Sequence, residues 1–351
     1  MRYVASTQLV EGMTLGQDIY DGQGCLLISK YTQLKQSAID DLLRAGTPGV
    51  YIEDEFSKDI QIQEVISPEV RRSALKAVHD MFTTSTEGTA GNSEEQRMKQ
   101  VISDLVNQVL SNEEIMYNML EIKDYDDYTY YHSVNVAILS SMIGMQMGIS
   151  KEQLGELMTA AMLHDIGKTF VDTSLLSARR KLREEEWLEM RRHPMYGYEY
   201  IHQNFNFSSF VDCAILEHHE NFDGTGYPMG LRGNDIHLYA RIIKAADVYD
   251  GMTSTRPYHD PMLPGEVIEY LMAHVGTEFD PQVVTVMLQR LCVYPVGCEV
   301  VLSNGEHALV VENHMGFVLR PTIKLLSDGK VINLMSDRDA RSITIVKLLL
   351  R

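Results

Sequence analysis

The sequence predicts a mainly α-helical protein, in which a helical bundle lies between a small N-terminal α+β module and a small C-terminal β module. Apolar residues recur at helical spacing from about residue 97 to 292. Both ends of the chain instead carry short apolar runs between glycine-containing turns, which is the pattern of paired strands. The 351 residues are enough for two or three domains with buried cores. We therefore expect an N-terminal module over 1–66, a helix and flexible linker over 67–96, the helical domain over 97–292 and an antiparallel β module over 293–351.

The N-terminal module is predicted to contain a hairpin, a helix and a further strand. The run DIYDGQGCLLIS (18–29) places a DGQG turn between apolar runs, which favours a hairpin. YTQLKQSAIDDLLRAG has helical spacing and ends at Gly46, and GVYIED then supplies a strand. The segment TTSTEGTAGNSEEQ (83–96) is rich in Ser, Thr and Gly, so it predicts a mobile surface loop or linker.

The central region carries clear helix signals. Ser150 and Gln153 fit a capping box, and the apolar face that follows ends at His164, Asp165 and Gly167. A second apolar stripe ends in His218, so this histidine is expected at the core-facing end of its helix. Asp280-Pro281 opens the last helix. From Pro295 onward, Asn-Gly turns and alternating β-branched residues indicate the C-terminal antiparallel module.

Composition limits the classes of function. Lys and Arg number 31 against 49 Asp and Glu, and the net charge of −18 argues against a broad surface for polymeric nucleic acid or acidic membranes. The four cysteines are scattered without CxxC spacing, which is typical of reduced thiols rather than a zinc ribbon or a disulfide framework. No stretch has the length and apolar character of a membrane span, and the first residues do not resemble a signal peptide. We expect a cytoplasmic protein with no membrane insertion.

Histidines and carboxylates recur at the ends of the predicted helices. They are His132 in YYHSVNVA, His164 and Asp165 in LHDIGK, His193 in RRHPMYG, His218 and His219 in EHHE, and Asp247 with Asp250 in AADVYDG. Imidazole and carboxylate are common ligands of Zn, Mn and Fe, and helical bundles build such centres from facing helices. A single histidine of this kind is more often a hydrogen-bonded core residue than a ligand. Because such residues recur at the ends of several predicted helices, the pattern as a whole favours metal binding.

The stretch EHHENFDGTGYP (217–228) places two histidines side by side. Adjacent residues on a helix point about 100° apart, so both can reach one ion only where the helix ends. The glycine-rich loop that follows ends the helix and allows close approach of its backbone. Glu217 and Glu220 flank the pair, and we expect them to be solvated carboxylates at the rim.

These motifs together resemble the HD-GYP family, a branch of the HD-domain metal-dependent phosphohydrolases. The resemblance rests on LHDIGK, RRHPMYGYE, EHHENFDGTGYP, AADVYDGMTSTRPYH and GTEFDPQVV in this order, and it covers about residues 97–292. It implies a helical catalytic domain with a dinuclear metal centre that hydrolyses the bacterial second messenger cyclic di-GMP to pGpG, and onward to GMP in a slower step. The N-terminal LVEGMTLGQDIYDGQGCLL resembles, more weakly, modules that precede such domains.

The resemblance also implies roles for individual residues. One ion would be held by His132, His164, Asp165 and Asp247, and the other by Asp165, His193, His218 and His219, so that Asp165 bridges two ions, with Fe or Mn the expected metals. Two ions about 3.5–4 Å apart can share a hydroxide that attacks a phosphodiester, without a protein nucleophile. The expected catalytic residues are Asp165, Lys168 and Asp250, and the expected substrate contacts are Lys168, Gly226, Tyr227 and Arg256. For Asp250, support of a ligand is an alternative to proton transfer; for Tyr227, packing of the loop is an alternative to a substrate contact.

Two departures from the family pattern bear on these roles. Tyr128 stands where some members have a glutamate for a third ion, so we expect two ions, although Asp126 and Asp127 are nearby. His259 stands where a basic residue commonly follows the RPY triplet, which predicts a weaker or more pH-dependent grip on phosphate.

Two other functions stay open at this point. The metal centre would act in the same way on another cyclic dinucleotide, such as 3′,3′-cyclic GMP-AMP, because only base contacts distinguish these substrates. A signalling scaffold that binds nucleotide without cleaving it is the alternative outside the enzymes. The terminal modules leave room for protein partners, and a homodimer is compatible with the sequence.

Overall fold

The computed structural model describes residues 1–20, 26–87, 91–112, 114–117, 128–176, 178, 180–254 and 262–350. Helices form the middle of the chain, and strands lie at both ends. The predicted fold class, a helical bundle with a small α+β module before it and a small β module after it, is therefore confirmed.

The N-terminal module holds five short strands and one helix. They are β1 (Arg2–Ala5), β2 (Thr14–Leu15), β3 (Ile19–Tyr20), β4 (Leu26–Ile28), α1 (Gln36–Arg44) and β5 (Gly49–Glu53). The central strand β5 pairs antiparallel with β1 and β2, and β3 pairs with β4 as the predicted hairpin. The DGQG turn itself lies outside the described residues. After α1, Gly46 adopts a positive φ of 71°, in agreement with the predicted stop.

Eleven α-helices are described between the two β-containing regions. They are α2 (Pro68–Glu87), α3 (Asn92–Ser111), α4 (Tyr128–Gln146), α5 (Lys151–Leu163), α6 (Thr173–Leu176), α7 (Glu184–Met190), α8 (His193–Asn204), α9 (Ser209–Glu217), α10 (Leu238–Thr253), α11 (Pro264–Ala273) and α12 (Pro281–Leu288). The capping box of Ser150 and Gln153 opens α5, and Asp280 caps α12, both as predicted.

The loop predicted over 83–96 is wrong for most of its length. Helix α2 continues to Glu87 and α3 begins at Asn92, so only a short connection separates them. Both helices are integrated into the main core, where Phe82 and Met98 are 4% and 0% exposed. The hydroxyl of Ser85 also lies 2.9 Å from that of Thr169. Packing therefore outweighs the weak helix preference of the Ser- and Thr-rich composition.

Helix α4 is the centre of the bundle. It packs against α5, α10, α2, α3 and α12. Apolar or small residues occur all round this helix, and nearly all of its residues from Tyr131 to Ile143 are buried, which is typical of a central helix. His132 lies in this buried stretch, at 2% exposure, so the partners of its ring come from within the bundle.

The C-terminal module is a five-stranded antiparallel sheet. Its strands are β6 (Glu299–Leu302), β7 (His307–Glu312), β8 (Thr322–Leu325), β9 (Val331–Asn333) and β10 (Ile345–Leu349), in the order β10-β6-β7-β8-β9. Tyr3 and Tyr51 of the N-terminal module share its core, and the Tyr3 backbone N–H donates to Gly297 O at 2.9 Å. The two terminal modules are therefore packed against each other.

Candidate metal centre

Three of the predicted ligand histidines share the same hydrogen bond to the backbone. His164 and His218 directly follow the last residues of α5 and α9, and His193 opens α8 three residues after the end of α7. In each case Nδ1 lies close to the carbonyl oxygen three residues earlier, at 2.7, 2.8 and 2.7 Å for His164, His193 and His218. A carbonyl can only accept, so the proton must be on Nδ1 in all three rings. Each bond satisfies a carbonyl that the end of the helix leaves unpaired. The Nε2 atoms are thereby left with free lone pairs.

A glycine allows two of these segments to approach closely. A short 3-10 helix, Ile166–Phe170, packs against α8. A Cβ added to Gly167 would lie 1.9 Å from the carbonyl oxygen of His193 and 2.5 Å from the N atom of Gly197, which excludes any larger residue. Gly167 thus lets Asp165 and His193 meet: Asp165 Oδ1 lies 3.4 Å from His193 Nε2.

The structure gathers the predicted ligands into two donor groups that share one carboxylate. Within each group the donor atoms lie within 4.8 Å of one another; the groups are His132, His164 and Asp165, and Asp165, His193, His218 and His219. Asp247 Oδ1 lies 3.0 Å from Nε2 of His132 and 4.0 Å from Nε2 of His164. All seven predicted metal ligands therefore converge, although residues 132 and 247 are far apart in the sequence.

Unsatisfied polar atoms show that these donors fit a metal. Among the described residues, the buried Nε2 of His164 and Oδ1 of Asp165 have no hydrogen-bond partner. The Nε2 atoms of His193 and His218 lie 3.3 Å apart, and both are lone-pair nitrogens because their Nδ1 atoms donate elsewhere. Buried polar atoms without partners are costly, and two facing lone pairs repel unless a cation lies within reach of both. Imidazole and carboxylate donors suit first-row transition metals.

The electrostatic surroundings keep four of the five imidazoles neutral. Burial lowers the pKa of His164, and it lowers the pKa of His218 and His219 even further. Burial, together with the nearby ammonium of Lys168, lowers the pKa of His193 to about 4. A neutral imidazole is the form that binds a metal ion.

The fifth histidine, His132, lies between two carboxylates. Its Nδ1 is 2.7 Å from Asp250 Oδ2, and its Nε2 faces Asp247. Burial lowers the pKa of His132, but these carboxylates outweigh burial, so its pKa is raised. Asp250 also accepts a hydrogen bond of 3.1 Å from Asn135. The structure therefore places Asp250 behind the ring of His132, in the position of a carboxylate that orients a ligand.

The carboxylate that the two donor groups share, Asp165, has a cation beside it. Lys168 Nζ donates to Asp165 Oδ2 at 2.5 Å, and the lysine side chain is about one-third exposed. Burial would raise the pKa of Asp165, but the ammonium of Lys168 opposes burial, and this pKa lies well below the usual value. Burial likewise opposes ionisation of Asp247, yet the hydrogen bond with His132 keeps its pKa low. Both carboxylates are thus ionised.

The two glutamates of the EHHE motif are not solvated rim groups, so that expectation is wrong. Glu220 is 2% exposed, and its carboxylate accepts the backbone N–H groups of residues 229, 230 and 231 at 2.7, 3.0 and 3.1 Å. Glu217 is 7% exposed and accepts the N–H of His237 at 2.6 Å. Each carboxylate thereby ties the chain after the motif to the end of α9.

The loop after the histidine pair packs tightly on itself. A Cβ on Gly226 would lie 2.2 Å from the N atom of Asn221, so only glycine fits there. The ring of Tyr227 stacks on that of His219, with centroids 4.8 Å apart. The guanidinium of Arg191 lies 5.1 Å from the centroid of the Tyr227 ring. Tyr227 therefore packs against the ring of His219, one of the candidate ligands. A direct substrate contact of Gly226 or Tyr227 stays a prediction.

Some expectations concern parts of the chain outside the described residues. These are Arg256, His259, Asp126 and Asp127, and also the side chain of Tyr128 at the start of α4. Sequence reasoning did not single out Asn135, Trp187 or Arg191. The HSVN spacing, which puts Asn135 on the face of α4 next to His132, was the available signal for the first of these.

Comparison with known proteins decides the family. A family model described as an HD domain matches residues 94–283, more than half of the chain. The chain belongs to the HD domain family. The resemblance to its HD-GYP branch is confirmed, since relatives of this HD domain protein include several named cyclic di-GMP phosphodiesterases.

Two curated relatives and one solved structure illustrate the similarity. The cyclic di-GMP phosphodiesterase PA4108 of Pseudomonas aeruginosa is 34% identical over 271 residues, covering 76% of this chain and 65% of the relative. The 3′3′-cGAMP-specific phosphodiesterase 3 of Vibrio cholerae is 34% identical over 168 residues, covering 48% of this chain and 36% of the relative. The chain thus spans less than two thirds of the length of either.

The solved structure is Bd1817, an HDG"Y"P protein from Bdellovibrio bacteriovorus. It superposes with a TM-score of 0.54 at 18% identity and covers 81% of this chain and 97% of that chain. This likeness supports the fold of the HD domain protein. Within the described part of the chain, no helix has both the length and the apolar character needed to cross a membrane.

Proposed function

We propose that this HD domain protein is a phosphodiesterase that hydrolyses cyclic di-GMP to pGpG, using two divalent metal ions, Fe or Mn. The observation that carries the proposal is the pair of donor groups that share Asp165. The names of the curated relatives support the substrate, because several are cyclic di-GMP phosphodiesterases. One ion would be held by His132, His164, Asp165 and Asp247, and the other by Asp165, His193, His218 and His219.

The chemistry of such a centre divides between the ions and the protein. Bound divalent ions lower the pKa of water towards about 7 and offset the charge of a phosphodiester. The protein supplies neutral imidazoles and ionised carboxylates in fixed orientations, which avoids reorganisation during the reaction. Lys168 lies beside Asp165 and is partly exposed, so its ammonium is available to a phosphate oxygen. No protein nucleophile is required.

A series of stacked side chains runs from the metal centre to the surface and offers a contact for a nucleobase of the substrate. Tyr227 stacks on His219, Arg191 lies 5.1 Å from the Tyr227 ring, and its guanidinium is 6.0 Å from the ring of Trp187. Trp187 is 50% exposed. Aromatic and guanidinium planes stack on nucleobases, and each stacked base contributes about 1–3 kcal/mol. We assign Trp187 to stacking on a guanine of the substrate.

Turnover of cyclic di-GMP by purified, metal-loaded protein tests the proposal. The product is separated by chromatography, and bound metal is measured by elemental analysis of protein purified without oxygen. We expect pGpG to form and Asp165→Ala to abolish both turnover and stoichiometric metal. Asp104→Ala, which changes an exposed carboxylate on α3, is the matched control and should retain both. A metal-loaded wild type that binds cyclic di-GMP without cleaving it would refute the proposal.

Hydrolysis of 3′,3′-cyclic GMP-AMP is the second candidate, because three curated relatives from Vibrio cholerae are specific for it. Both substrates present a phosphodiester to the same donors, so base contacts must distinguish them. Turnover of an equimolar mixture compares the two directly. We expect the cyclic di-GMP signal to decay first; the reverse order would favour the second candidate.

A further inference from the structure

A cavity of about 600 Å³ lies between the N-terminal module and the helical bundle. Its walls come from both regions, and none of the seven candidate metal ligands lines it. Helix α4 separates it from the metal centre, because Tyr131 and Ile138 line the cavity while His132 faces Asp247. The volume falls within the range of about 300–1,000 Å³ that small-molecule sites occupy.

Basic side chains outnumber acidic ones in the lining of this cavity, in a chain whose net charge is −18. Lys30, Arg71 and Arg72 line it, together with the carboxylates of Asp18 and Glu64. Both carboxylates already accept hydrogen bonds: Asp18 Oδ1 from the N–H of Lys30 at 2.6 Å, and Glu64 from the side chain of Gln17 at 3.0 Å. These three cations exceed the two carboxylates by one, so the side chains of the lining have a formal excess of positive charge, which favours an anion.

Aromatic surface lies next to these cations. The guanidinium of Arg72 lies 4.6 Å from the ring centre of Tyr20. Tyr117 and Tyr131 line the cavity and are only 3% and 5% exposed, and Leu75 adds aliphatic surface. Flat aromatic walls beside guanidinium groups suit a molecule that combines a planar ring with a negative group.

Two physical links join the cavity to the metal centre. Arg71 donates to Asn135 Oδ1 at 3.0 Å, Asn135 donates to Asp250 Oδ1 at 3.1 Å, and Asp250 Oδ2 lies 2.7 Å from Nδ1 of His132. Asn135 is 1% exposed, so this chain of bonds is shielded from water. The second link is covalent, since the cavity residue Tyr131 directly precedes His132 on α4.

We propose that this cavity binds a small aromatic anion of the nucleotide class, and that its occupancy alters the affinity of the metal centre. An anion that engages Arg71 competes with the bond from Arg71 to Asn135, and the change passes to Asp250 and the ring of His132. The two arrangements of the site are those with and without the bond from Arg71 to Asn135. By linkage, the ligand changes metal affinity only to the extent that it binds these two arrangements with different affinity. The cavity is then a regulatory site between the N-terminal module and the bundle.

Binding is tested first, on the full chain depleted of metal with a chelator. GMP, AMP and GTP are titrated separately by calorimetry. We expect at least one of them to bind, and Arg72→Ala and Tyr20→Ala each to weaken it at least about tenfold, because each removes one wall group. Arg44→Ala is the matched control: Arg44 is exposed, pairs with Asp41 and does not line the cavity. No binding of any of the three up to about 1 mM, or equal binding by all variants, overturns the proposal.

Coupling is tested by the affinity for Mn²⁺ with and without saturating nucleotide. We expect the ratio of the two affinities to differ from one by at least about threefold in wild type and in Arg44→Ala. Asn135→Ala should still bind nucleotide but show a ratio closer to one than that of wild type, because it cuts the hydrogen-bonded link and leaves only the covalent one. Nucleotide that binds at the metal centre itself would keep its effect in Arg72→Ala, and that result overturns the regulatory assignment.

Discussion

Replacement of Asp250 by asparagine tests how much the carboxylate on the Nδ1 side of His132 contributes to metal affinity. Asp250 accepts from His132 Nδ1 at 2.7 Å with one oxygen and from Asn135 at 3.1 Å with the other. An asparagine has one acceptor oxygen and one donor group, so it can satisfy only one of these two donors. Either the imidazole loses its acceptor or the amide of Asn135 faces a second donor.

The magnitude follows from the type of bond that is lost. The bond is buried, since His132 is 2% and Asp250 3% exposed. Hydrogen bonds to charged groups contribute about 1.5–3 kcal/mol, and about 1.4 kcal/mol is a factor of ten in affinity. We therefore expect Asp250→Asn to bind the ion at His132 about 10–100-fold more weakly, the range found when partners of ligand histidines are removed.

Titration of metal-depleted protein with Mn²⁺, followed by electron paramagnetic resonance, measures this affinity. Circular dichroism and thermal unfolding show whether the variant keeps its fold. Asp212→Asn is the matched control, because it makes the same change in another aspartate–histidine pair, in which Asp212 lies 2.9 Å from His202 away from the centre. A folded Asp250→Asn that binds Mn²⁺ as tightly as wild type, or an equal loss in Asp212→Asn, would refute the reasoning.

Three further changes have defined outcomes. Gly167→Ala places a Cβ 1.9 Å from the His193 carbonyl oxygen and should lower the free energy of unfolding, measured by urea titration, by about 3 kcal/mol. The control Gly155→Ala, whose Cβ meets only Ile102 at 3.6 Å, should stabilise α5 slightly. Equal effects of the two changes would contradict the packing role of Gly167. Glu220→Gln should cost about 1–3 kcal/mol and speed proteolysis within 221–231, because its backbone donors lose a charged acceptor, while the exposed Glu11→Gln should change neither. Removal of metal by a chelator should lower the melting temperature, since an ion at 100 times its Kd adds about 2.7 kcal/mol to the free energy of unfolding. The shift should vanish in Asp165→Ala, and a shift that persists in this variant would place the ions elsewhere.

The sequence by itself determined the kinds of donor and the local geometry that presents them. Ser150 begins α5 and His164 follows its last turn, so the position of this imidazole at a helix end is readable from capping and periodicity. The same holds for His218 after α9. These signals are local, because hydrogen bonds within one helix depend only on residues a few positions apart.

Only the tertiary structure decided which donors meet and what stands behind them. His132 and Asp250 are 118 positions apart, and no periodicity relates residues on different helices. Glu220 read as a solvated residue from its type, yet folding buries it against three backbone N–H groups that need an acceptor. Residues 83–96 read as a loop from composition, yet the burial of Phe82 and Met98 makes most of this segment helical. Packing free energy summed over many contacts exceeds the small local preferences on which such expectations rest.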